Sequence, residues 1–323
     1  MKLDPMTRLD PELVGPLTGL LEATGGGFNL RDIAATRAAV DGMLEGVIAE
    51  APPVPGVVTE DRTVPSAASG IDVPVRIYRP KNPKGTLPVL QWMHPGGFVI
   101  GSIAMEHLMA LGIVDELGCA IVSVDYRLAP EHPYPAALDD CYGVLEWIAG
   151  DAAAQGFDAS KIAVGGSSAG GGLAAALCLR TRDAGGPMPV AQILIYPAID
   201  DTNIEPASET LADNLFWSRE NAIIGWNAYL EGKQATADVP AYAAAARATD
   251  LSGLPSAFIA VGSVDMFLDE NIDYAERLAS AGVDVDLAVY PGAFHAFDAF
   301  APMARVSQRF AAARNRAIQR AFE

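Results

Sequence analysis

The sequence predicts a doubly wound α/β fold, in which a mostly parallel, twisted sheet carries helices on both faces. Short apolar runs, many of them β-branched, recur from residue 87 to the last third of the chain, and helical segments lie between them. Runs of this length that are apolar on both sides are typical of strands buried in a parallel sheet. Half of the 323 residues are hydrophobic, which is enough for a large core and excludes wholesale disorder.

The N-terminal part has a different pattern. Residues 29–50 predict one amphipathic helix, which Asn29 can cap and which the Pro- and Gly-rich segment 51–56 ends. Polar and apolar residues then alternate over Ile71–Tyr78, as in a half-buried or edge strand. We therefore expect residues 1–55 to be an N-terminal helical cap segment and residues 56–323 to be one large domain.

Six apolar runs predict the buried strands, namely Leu87–Met93, Cys119–Val124, Lys161–Val164, Ala191–Tyr196, Ser256–Val261 and Val285–Tyr290. Helical segments between them are Met105–Leu117, Ala137–Ala149 and Ala169–Arg182. Strands that alternate with helices in this way indicate an α/β sheet.

The interval between Tyr196 and Ser256 shows no clear strand pattern. We interpret it as a cap insertion at about 200–250 that folds over the sheet together with the N-terminal helix, because long loops in compact domains are commonly functional. The alternative is a surface excursion without a function.

Composition excludes several classes of function. The formal net charge of −18 repels phosphate backbones and anionic lipids, so no nucleic-acid partner is expected. Three widely spaced cysteines, Cys119, Cys141 and Cys178, form neither a disulfide framework nor a zinc module. The sequence shows no signal-peptide pattern and no apolar run near the ~20 residues of a membrane helix. A cytoplasmic protein without a membrane span, a metal or a cofactor is the expectation.

The segment Gly166-Ser167-Ser168-Ala169-Gly170 carries the strongest chemical signal. A G-x-S-x-G motif between a strand and a helix is a nucleophile elbow, in which the two glycines leave room for a tight turn. The turn presents Oγ of Ser168 at the N-terminus of the helix, where N–H groups favour developing negative charge. No G-K-[ST] follows and the spacing is not G-x-G-x-x-G, so phosphate binding is disfavoured.

A serine nucleophile needs donors for the oxyanion and a base for its proton. Gly96 and Gly97 in His94-Pro95-Gly96-Gly97-Phe98 follow a predicted strand and offer bare backbone N–H groups, and Ala169 N–H adds a third. Of the four histidines, His295 lies in the loop after the last predicted strand, at the sheet edge that Ser168 also occupies. Asp265 is the first carboxylate after the preceding strand and is the candidate that orients this histidine.

We interpret the remaining histidines and nearby acids as structural residues. His94 and His132 lie in Pro-rich turns and His107 on a predicted helix face, and no pair has zinc-ligand spacing. Asp269 and Glu270 are also candidates for the acid, but acids in a first helical turn are ordinary caps.

These residues together resemble the hormone-sensitive-lipase family of carboxylesterases, the bacterial family IV esterases, over roughly residues 70–320. The segment Asp125–Asp139 (DYRLAPEHPYPAALD) and the Tyr-Pro-Gly…His295 ending are characteristic of that family. The resemblance implies an α/β-hydrolase catalytic domain with a helical cap and hydrolysis of short-to-medium acyl esters. It also implies Ser168, Asp265 and His295 as the catalytic triad, with Gly96, Gly97 and Ala169 as oxyanion donors.

Two positions depart from the family pattern. Pro95 stands where the family has the first glycine of His-Gly-Gly-Gly, and Ser167 stands where it has Asp or Thr. Both glycines expected to donate are kept, so we expect a working oxyanion hole on a stiffer loop.

Other functions and contacts stay open at this point. The same catalyst serves lactones, amides or carbonates, and the fold also occurs in lyases or dehydratases and in small-molecule receptors with damaged triads. A true lipase is disfavoured because no long apolar lid is visible. Phe98, Phe216, Trp217 and Phe294 are candidates for the substrate pocket, with core packing as the alternative for each. The last strand, Val285–Tyr290, suggests an edge through which a homodimer forms.

Overall fold

A computed structural model of the chain describes residues 5–202 and 216–323, so part of the predicted insertion, residues 203–215, lies outside the described residues. Its strands are β1 (Val57–Ser66), β2 (Ile71–Pro80), β3 (Leu87–Met93), β4 (Ala120–Val124), β5 (Phe157–Ser167), β6 (Ala191–Ile195), β7 (Ser256–Gly262) and β8 (Val285–Tyr290). They form one eight-stranded sheet in the order β1-β2-β4-β3-β5-β6-β7-β8.

The sheet is parallel except at one end. β1 pairs antiparallel with β2, and β2 pairs antiparallel with β4. Every other pairing, from β4–β3 through to β7–β8, is parallel. The predicted mostly parallel α/β sheet is therefore confirmed, and the predicted strand Ile71–Tyr78 lies next to the edge strand β1, which the sequence did not reveal.

The helices of the described residues are α1 (Pro11–Thr24), α2 (Ile33–Glu50), α3 (His107–Leu117), α4 (Ala136–Gly150), α5 (Ala152–Gln155), α6 (Ala169–Ala184), α7 (Arg219–Tyr229), α8 (Leu268–Ser280), α9 (Phe297–Phe300) and α10 (Arg305–Ala321). Short 3₁₀ helices occupy Pro5–Arg8, Leu30–Asp32, Ile103–Glu106 and Ala245–Arg247. The predicted helix 29–50 thus begins with a 3₁₀ turn and continues as α2.

Side chains of the central strands alternate between two hydrophobic layers. Val164 on β5 and Leu194 on β6 face the layer that holds residues of α4, α6 and α8. Their neighbours Ala163 and Ile193 face the other layer, which holds residues of α3 and α10. Successive side chains of a strand point to opposite faces of the sheet, and helices cover both faces. Most side chains of these strands are therefore buried, which explains why the strands appear in the sequence as continuous apolar runs.

The N-terminal helices and α7 meet above the carboxyl edge of the sheet. The Asn221 side chain on α7 donates to the Phe28 carbonyl at 2.9 Å and accepts from the Leu30 N–H at 3.3 Å. Arg31 and Glu220 form an ion pair at 2.5 Å beside them. Segments far apart in sequence are therefore joined into one helical layer.

Helix α1 is held at both its beginning and its first turn by the C-terminal part of the chain. The Asp10 N–H donates to the Gly292 carbonyl at 3.0 Å, and Gly292 lies three positions before His295. A Cβ on Gly292, whose φ is +72°, would lie 2.3 Å from the Asp10 nitrogen, so this close approach requires glycine. The Glu12 carboxylate accepts from the Arg305 N–H at 2.8 Å.

The three cysteines are free thiols buried in the core. Burial raises the pKa of Cys119 to about 12, and it raises the pKa of Cys141 and Cys178 above the ordinary value as well. Thiols of this kind are weak nucleophiles. Within residues 5–202 and 216–323, no helix combines the length and the apolar character needed to cross a bilayer.

Candidate active site

Ser168 occupies the sharp turn between β5 and α6. Its backbone has φ +54° and ψ −119°, a region that side-chain-bearing residues rarely adopt. Its N–H donates to the Ile195 carbonyl at 2.8 Å, which fixes the turn against β6. A Cβ on Gly166 would lie 2.4 Å from the Gly170 carbonyl carbon, and one on Gly170 would lie 2.1 Å from the Met93 carbonyl oxygen. Both glycines are therefore required by contact with backbone.

The structure brings His295 and Asp265 to this serine. His295 Nε2 lies 3.0 Å from Ser168 Oγ, and its Nδ1 lies 2.8 Å from Asp265 Oδ2. The second carboxylate oxygen, Oδ1, accepts from the Phe267 N–H at 3.0 Å. The acid is thus fixed by its own turn, and its other oxygen determines the orientation of the imidazole.

These three side chains are almost completely shielded from water. Exposure is 3% for Ser168, 7% for His295 and 1% for Asp265. Low exposure strengthens electrostatic interactions between the groups. The arrangement leaves Nε2 free to accept the serine proton while Nδ1–H donates to the carboxylate.

The loop after β3 supplies backbone N–H groups beside the serine. Gly96 and Gly97 have φ values of +126° and +59°, and a Cβ on Gly96 would lie 2.0 Å from the Ile100 carbonyl oxygen. Among the described residues, the N–H groups of Gly96, Gly97 and Ala169 donate to no backbone carbonyl. Ala169 is the first residue of α6, whose first N–H groups have no partner within the helix.

Pro95 is accommodated in this loop by its neighbour. The carbonyl of Pro95 lies 2.7 Å from Nδ1 of His94, and the His94 ring stacks on Tyr126 with 4.1 Å between ring centroids. Burial lowers the pKa of His94 to about 4, so the ring is neutral and donates from Nδ1. The His94 side chain therefore supports the backbone of the loop at Pro95.

The four candidate pocket residues are buried in different surroundings. A Cβ on Gly97 would lie 2.5 Å from the Trp217 ring, so this indole covers the glycine loop. Phe98 stacks on Tyr229 with 4.2 Å between ring centroids, and Phe216 packs against Phe28 at 4.3 Å. Phe294 is fully buried in the hydrophobic layer of α10.

The other histidines and acids lie elsewhere. His107 Nδ1 is 3.0 Å from the Tyr78 hydroxyl, and His132 is exposed. Glu270 accepts from the Ile199 N–H at 2.8 Å and so holds the loop after β6.

Two residues that the sequence did not point to, Tyr196 and Glu106, pack next to the site. The Tyr196 ring packs edge-on against His295, and Glu106 Oε1 accepts from the Ser167 hydroxyl at 2.6 Å. Neither Tyr196 nor Glu106 belongs to a recognisable motif, because each meets its partner only through the fold.

A serine, an acid and a histidine in this chain order, on a mostly parallel sheet with an elbow between strand and helix, define an α/β hydrolase. The chain belongs to the Abhydrolase_3 family, the hormone-sensitive-lipase-like α/β hydrolases, whose family model matches residues 90–299.

Proteins named as esterases are similar to this chain over most of their length. Carboxylesterase NlhH of Mycobacterium tuberculosis is 39% identical over 253 residues, covering 77% of this chain and 78% of that protein. Esterase LipI of the same organism is 38% identical, covering 71% of this chain and 72% of the relative. The solved structure of a bacterial heroin esterase superposes with a TM-score of 0.93 at 38% identity, covering 98% of this chain and 99% of the other. Esterase LipW from Mycobacterium marinum superposes with a TM-score of 0.86 at 37% identity, covering 99% of this chain and 98% of the other.

Proposed function

We propose that this protein is a serine carboxylesterase that hydrolyses short-to-medium acyl esters through an acyl-enzyme intermediate. One observation carries the proposal: a continuous chain of hydrogen-bond distances runs from Ser168 through His295 to Asp265, beside backbone N–H groups that donate to no backbone carbonyl among the described residues. The relatives named carboxylesterase and esterase support the same reaction class.

In the acylation step, Ser168 Oγ attacks the ester carbonyl carbon while His295 Nε2 takes the hydroxyl proton. Asp265 stabilises the resulting imidazolium through Nδ1–H and remains a carboxylate. The N–H groups of Gly96, Gly97 and Ala169 donate to the oxyanion of the tetrahedral intermediate. His295 then returns the proton to the leaving alcohol, and the acyl group stays on Ser168.

In the deacylation step, water replaces the alcohol. His295 takes a proton from this water as it attacks the acyl carbonyl, and the same N–H groups hold the second oxyanion. Collapse of the intermediate breaks the bond to Ser168 Oγ, which recovers its proton from His295. The carboxylic acid leaves and the enzyme is restored.

Aromatic side chains on and after the glycine loop support the proposed preference for short and medium acyl chains. Trp217 lies over Gly97, and Phe98 is fixed between Trp226 and Tyr229 with ring centroids 4.9 Å and 4.2 Å away. A long chain would have to displace these rings. A relative from Pseudomonas putida named ethyl acetate hydrolase, 31% identical over 238 residues, supports small esters.

We propose that residues 1–55 and the insertion at about 200–250 form the cap, of which α1, α2 and α7 are the helical layer. Phe28 and Phe216, which precede α2 and α7, pack on one another with 4.3 Å between ring centroids, and Phe28 also packs against Trp217 at 6.5 Å. Changes in this layer are expected to alter KM and chain-length preference more than the chemistry at Ser168.

We also propose a homodimer through β8. Among the strands that the structure describes, β8 pairs only with β7, and Leu287 and Val289 expose 37% and 41% of their surface. Unpaired apolar edges are commonly covered in native proteins. Scattering at working concentration is expected to give a dimer mass for the wild type and a monomer mass for Val289→Lys. A monomeric wild type would contradict this arrangement.

A cytoplasmic location is part of the proposal, because three buried free thiols suit a reducing compartment. Fractionation of the native host tests it directly, and recovery of the enzyme outside the cytoplasm would overturn this point alone.

Hydrolysis of p-nitrophenyl esters from acetate to palmitate tests the activity. We expect the wild type to hydrolyse the short and medium esters and Ser168→Ala to lose at least about 10³-fold in kcat/KM. Ser160→Ala, which changes an exposed serine, is the matched control and should behave as wild type. Hydrolysis retained by Ser168→Ala, or a folded wild type that is active on lactones or amides and on no ester, would refute the proposal.

A further inference from the structure

We propose that Glu106 is a positioning residue for the nucleophile, acting through Ser167, the residue that precedes Ser168. The inference rests on the proposed function, since it concerns the serine that performs the hydrolysis. Glu106 touches neither substrate nor reacting atoms, so its effect is on the geometry of the elbow.

Glu106 stands at the N-terminal boundary of α3, yet its side chain makes no capping hydrogen bond there. Its carboxyl group instead extends toward the sheet. Oε1 accepts from the Ser167 hydroxyl at 2.6 Å, and Oε2 accepts from the Trp92 indole N–H. One carboxyl group therefore joins the elbow to the neighbouring strand.

The two partners are placed so that this link fixes the elbow. Trp92 on β3 pairs in register with Gly165 on β5, two positions before Ser167. A Cβ on Gly165 would lie 2.7 Å from the Trp92 ring, so the strand and the indole are in direct contact. Ser167 is 2% exposed and Trp92 is 1% exposed, so water does not replace these hydrogen bonds easily.

The strained backbone of Ser168 explains why such a link matters. A residue at φ +54° is kept there only when its surroundings over-determine the conformation. The N–H of Ser168 is held by Ile195 on one side, and the Ser167 side chain is held by Glu106 on the other. Loss of the second link is expected to shift Oγ away from His295 Nε2.

The family pattern has a different residue at position 167, usually Asp or Thr. In this chain the position carries a neutral hydroxyl, and the carboxyl group comes from Glu106 instead. A carboxyl group is thus present beside the elbow, supplied by a segment 61 positions earlier in the sequence.

Substitutions separate hydrogen bonding from charge. In Glu106→Gln, the amide oxygen still accepts from Trp92 and the amide N–H donates to Ser167 Oγ, which has free lone pairs. In Glu106→Leu both links are lost at similar volume. In Ser167→Ala the link to the elbow is lost, while the contact between Glu106 and Trp92 is kept.

The test measures kcat and KM for p-nitrophenyl butyrate and the rate at which a p-nitrophenyl phosphonate modifies Ser168. We expect Glu106→Leu to lower kcat and the phosphonate rate about 10- to 100-fold, with KM within about twofold, because small misplacements of a reacting atom have effects of this size. Glu106→Gln is expected to remain within about threefold of wild type, since it keeps both hydrogen bonds. Glu276→Leu, the same change at an exposed position of helix α8, is the matched control and should leave all three quantities unchanged.

A double-mutant cycle identifies the route of the effect. If Glu106 acts through Ser167, adding Ser167→Ala to Glu106→Leu lowers kcat no further than Glu106→Leu alone. Losses that multiply would overturn the inference, as would a folded Glu106→Leu enzyme with wild-type kcat or one with a loss confined to KM. Where Glu106→Leu fails to fold by circular dichroism, Ser167→Ala replaces it, and wild-type rates for that variant would equally overturn the inference.

The two proposals fail in different ways. Hydrolysis retained by Ser168→Ala refutes the assignment of the nucleophile. A phosphonate that modifies Ser168 at equal rates in wild type, Glu106→Leu and Ser167→Ala leaves the esterase intact and refutes only the role of Glu106.

Discussion

The Tyr196 ring packs edge-on against the imidazole of His295, with 4.8 Å between ring centroids and 66° between ring planes. Its hydroxyl donates to Asp298 Oδ1 at 2.9 Å. Tyr196 itself has φ +36° in the turn that follows β6. The proposed base is therefore held by a carboxylate at Nδ1 and by an aromatic ring at its side.

Tyr196→Phe keeps the ring against His295 and removes the hydrogen bond to Asp298. We expect the free energy of unfolding to fall by about 1–2 kcal/mol, because a half-buried carboxyl group loses a partner, while kcat stays within about threefold. Tyr196→Leu removes the ring as well and should lower kcat further. Urea denaturation and ester kinetics of both variants check this, and equal kcat values for the two would show that the ring contact is unimportant.

Asp265→Asn tests how the histidine is oriented. The amide is nearly isosteric with the carboxylate, but it no longer stabilises the imidazolium and permits the wrong tautomer at Nδ1. We expect kcat to fall about 10³- to 10⁴-fold with little change in the unfolding free energy. Asp269→Asn, a change in the first turn of α8, is the comparison and should retain activity. A loss of similar size in both variants would speak against Asp265 as the orienting acid.

Gly97→Ala tests the glycine loop. The added methyl group would lie 2.5 Å from the Trp217 ring, at a φ of +59° that disfavours alanine. The indole or the loop has to move, and we expect kcat to fall about 10²-fold as the oxyanion donors shift. Gly112→Ala on α3, where no atom lies within 4 Å of the added Cβ, should instead raise stability by about 0.5–1 kcal/mol. Wild-type kcat for Gly97→Ala would mean that this N–H does not hold the oxyanion.

The pH dependence of stability reports the environment of Glu106. Burial raises its pKa from 4.5 to about 7, against the hydrogen bonds from Ser167 and Trp92, which lower it. Two charged groups on neighbouring elements act on Glu106: Asp298 raises its pKa and Arg314 lowers it. The charge of Glu106 in turn raises the pKa of the Tyr78 and Tyr126 hydroxyls.

The folded chain therefore holds this proton at pH values where the unfolded chain has released it. The resulting stabilisation is complete below the unfolded pKa near 4.5 and is lost as the pH rises through about 7. Relative to Glu106→Gln, the unfolding free energy of the wild type should fall by about 2–3 kcal/mol between pH 5 and pH 8. Urea unfolding of both proteins at the two pH values measures this change. If the difference in unfolding free energy between the wild type and Glu106→Gln is the same at both pH values, the Glu106 carboxyl group is exposed to water.

The chemistry of the site could be predicted from the sequence because each catalytic candidate is marked by a short local pattern. The elbow is a contiguous motif, and Asp265 and His295 each follow a predicted strand, so parallel topology alone brings them to one edge. The strands of the centre were visible for a similar reason, since both their faces are apolar. The roles of these residues remain proposals, but their proximity follows from the fold.

Other features depend on contacts that no local pattern encodes. Glu106 meets Ser167 across 61 positions, and Tyr196 meets Asp298 across 102. The edge strand β1 is mostly exposed, so it lacks the apolar run that marks the central strands. Helix α1 begins with a proline and contains a second one. We did not predict this helix because proline disfavours a helix interior, although the first turn of a helix tolerates it.

The attachment of α1 has a consequence for how the chain is made. Glu12 and Arg305 are 293 positions apart, and the Asp10 N–H donates to the Gly292 carbonyl, so α1 is synthesised long before the residues that hold it. The side chains of Leu13 and Leu17, fully buried in the folded protein, lack that support until residues 292–305 have been added. The loop that carries His295 is therefore completed only when two segments from distant parts of the sequence meet.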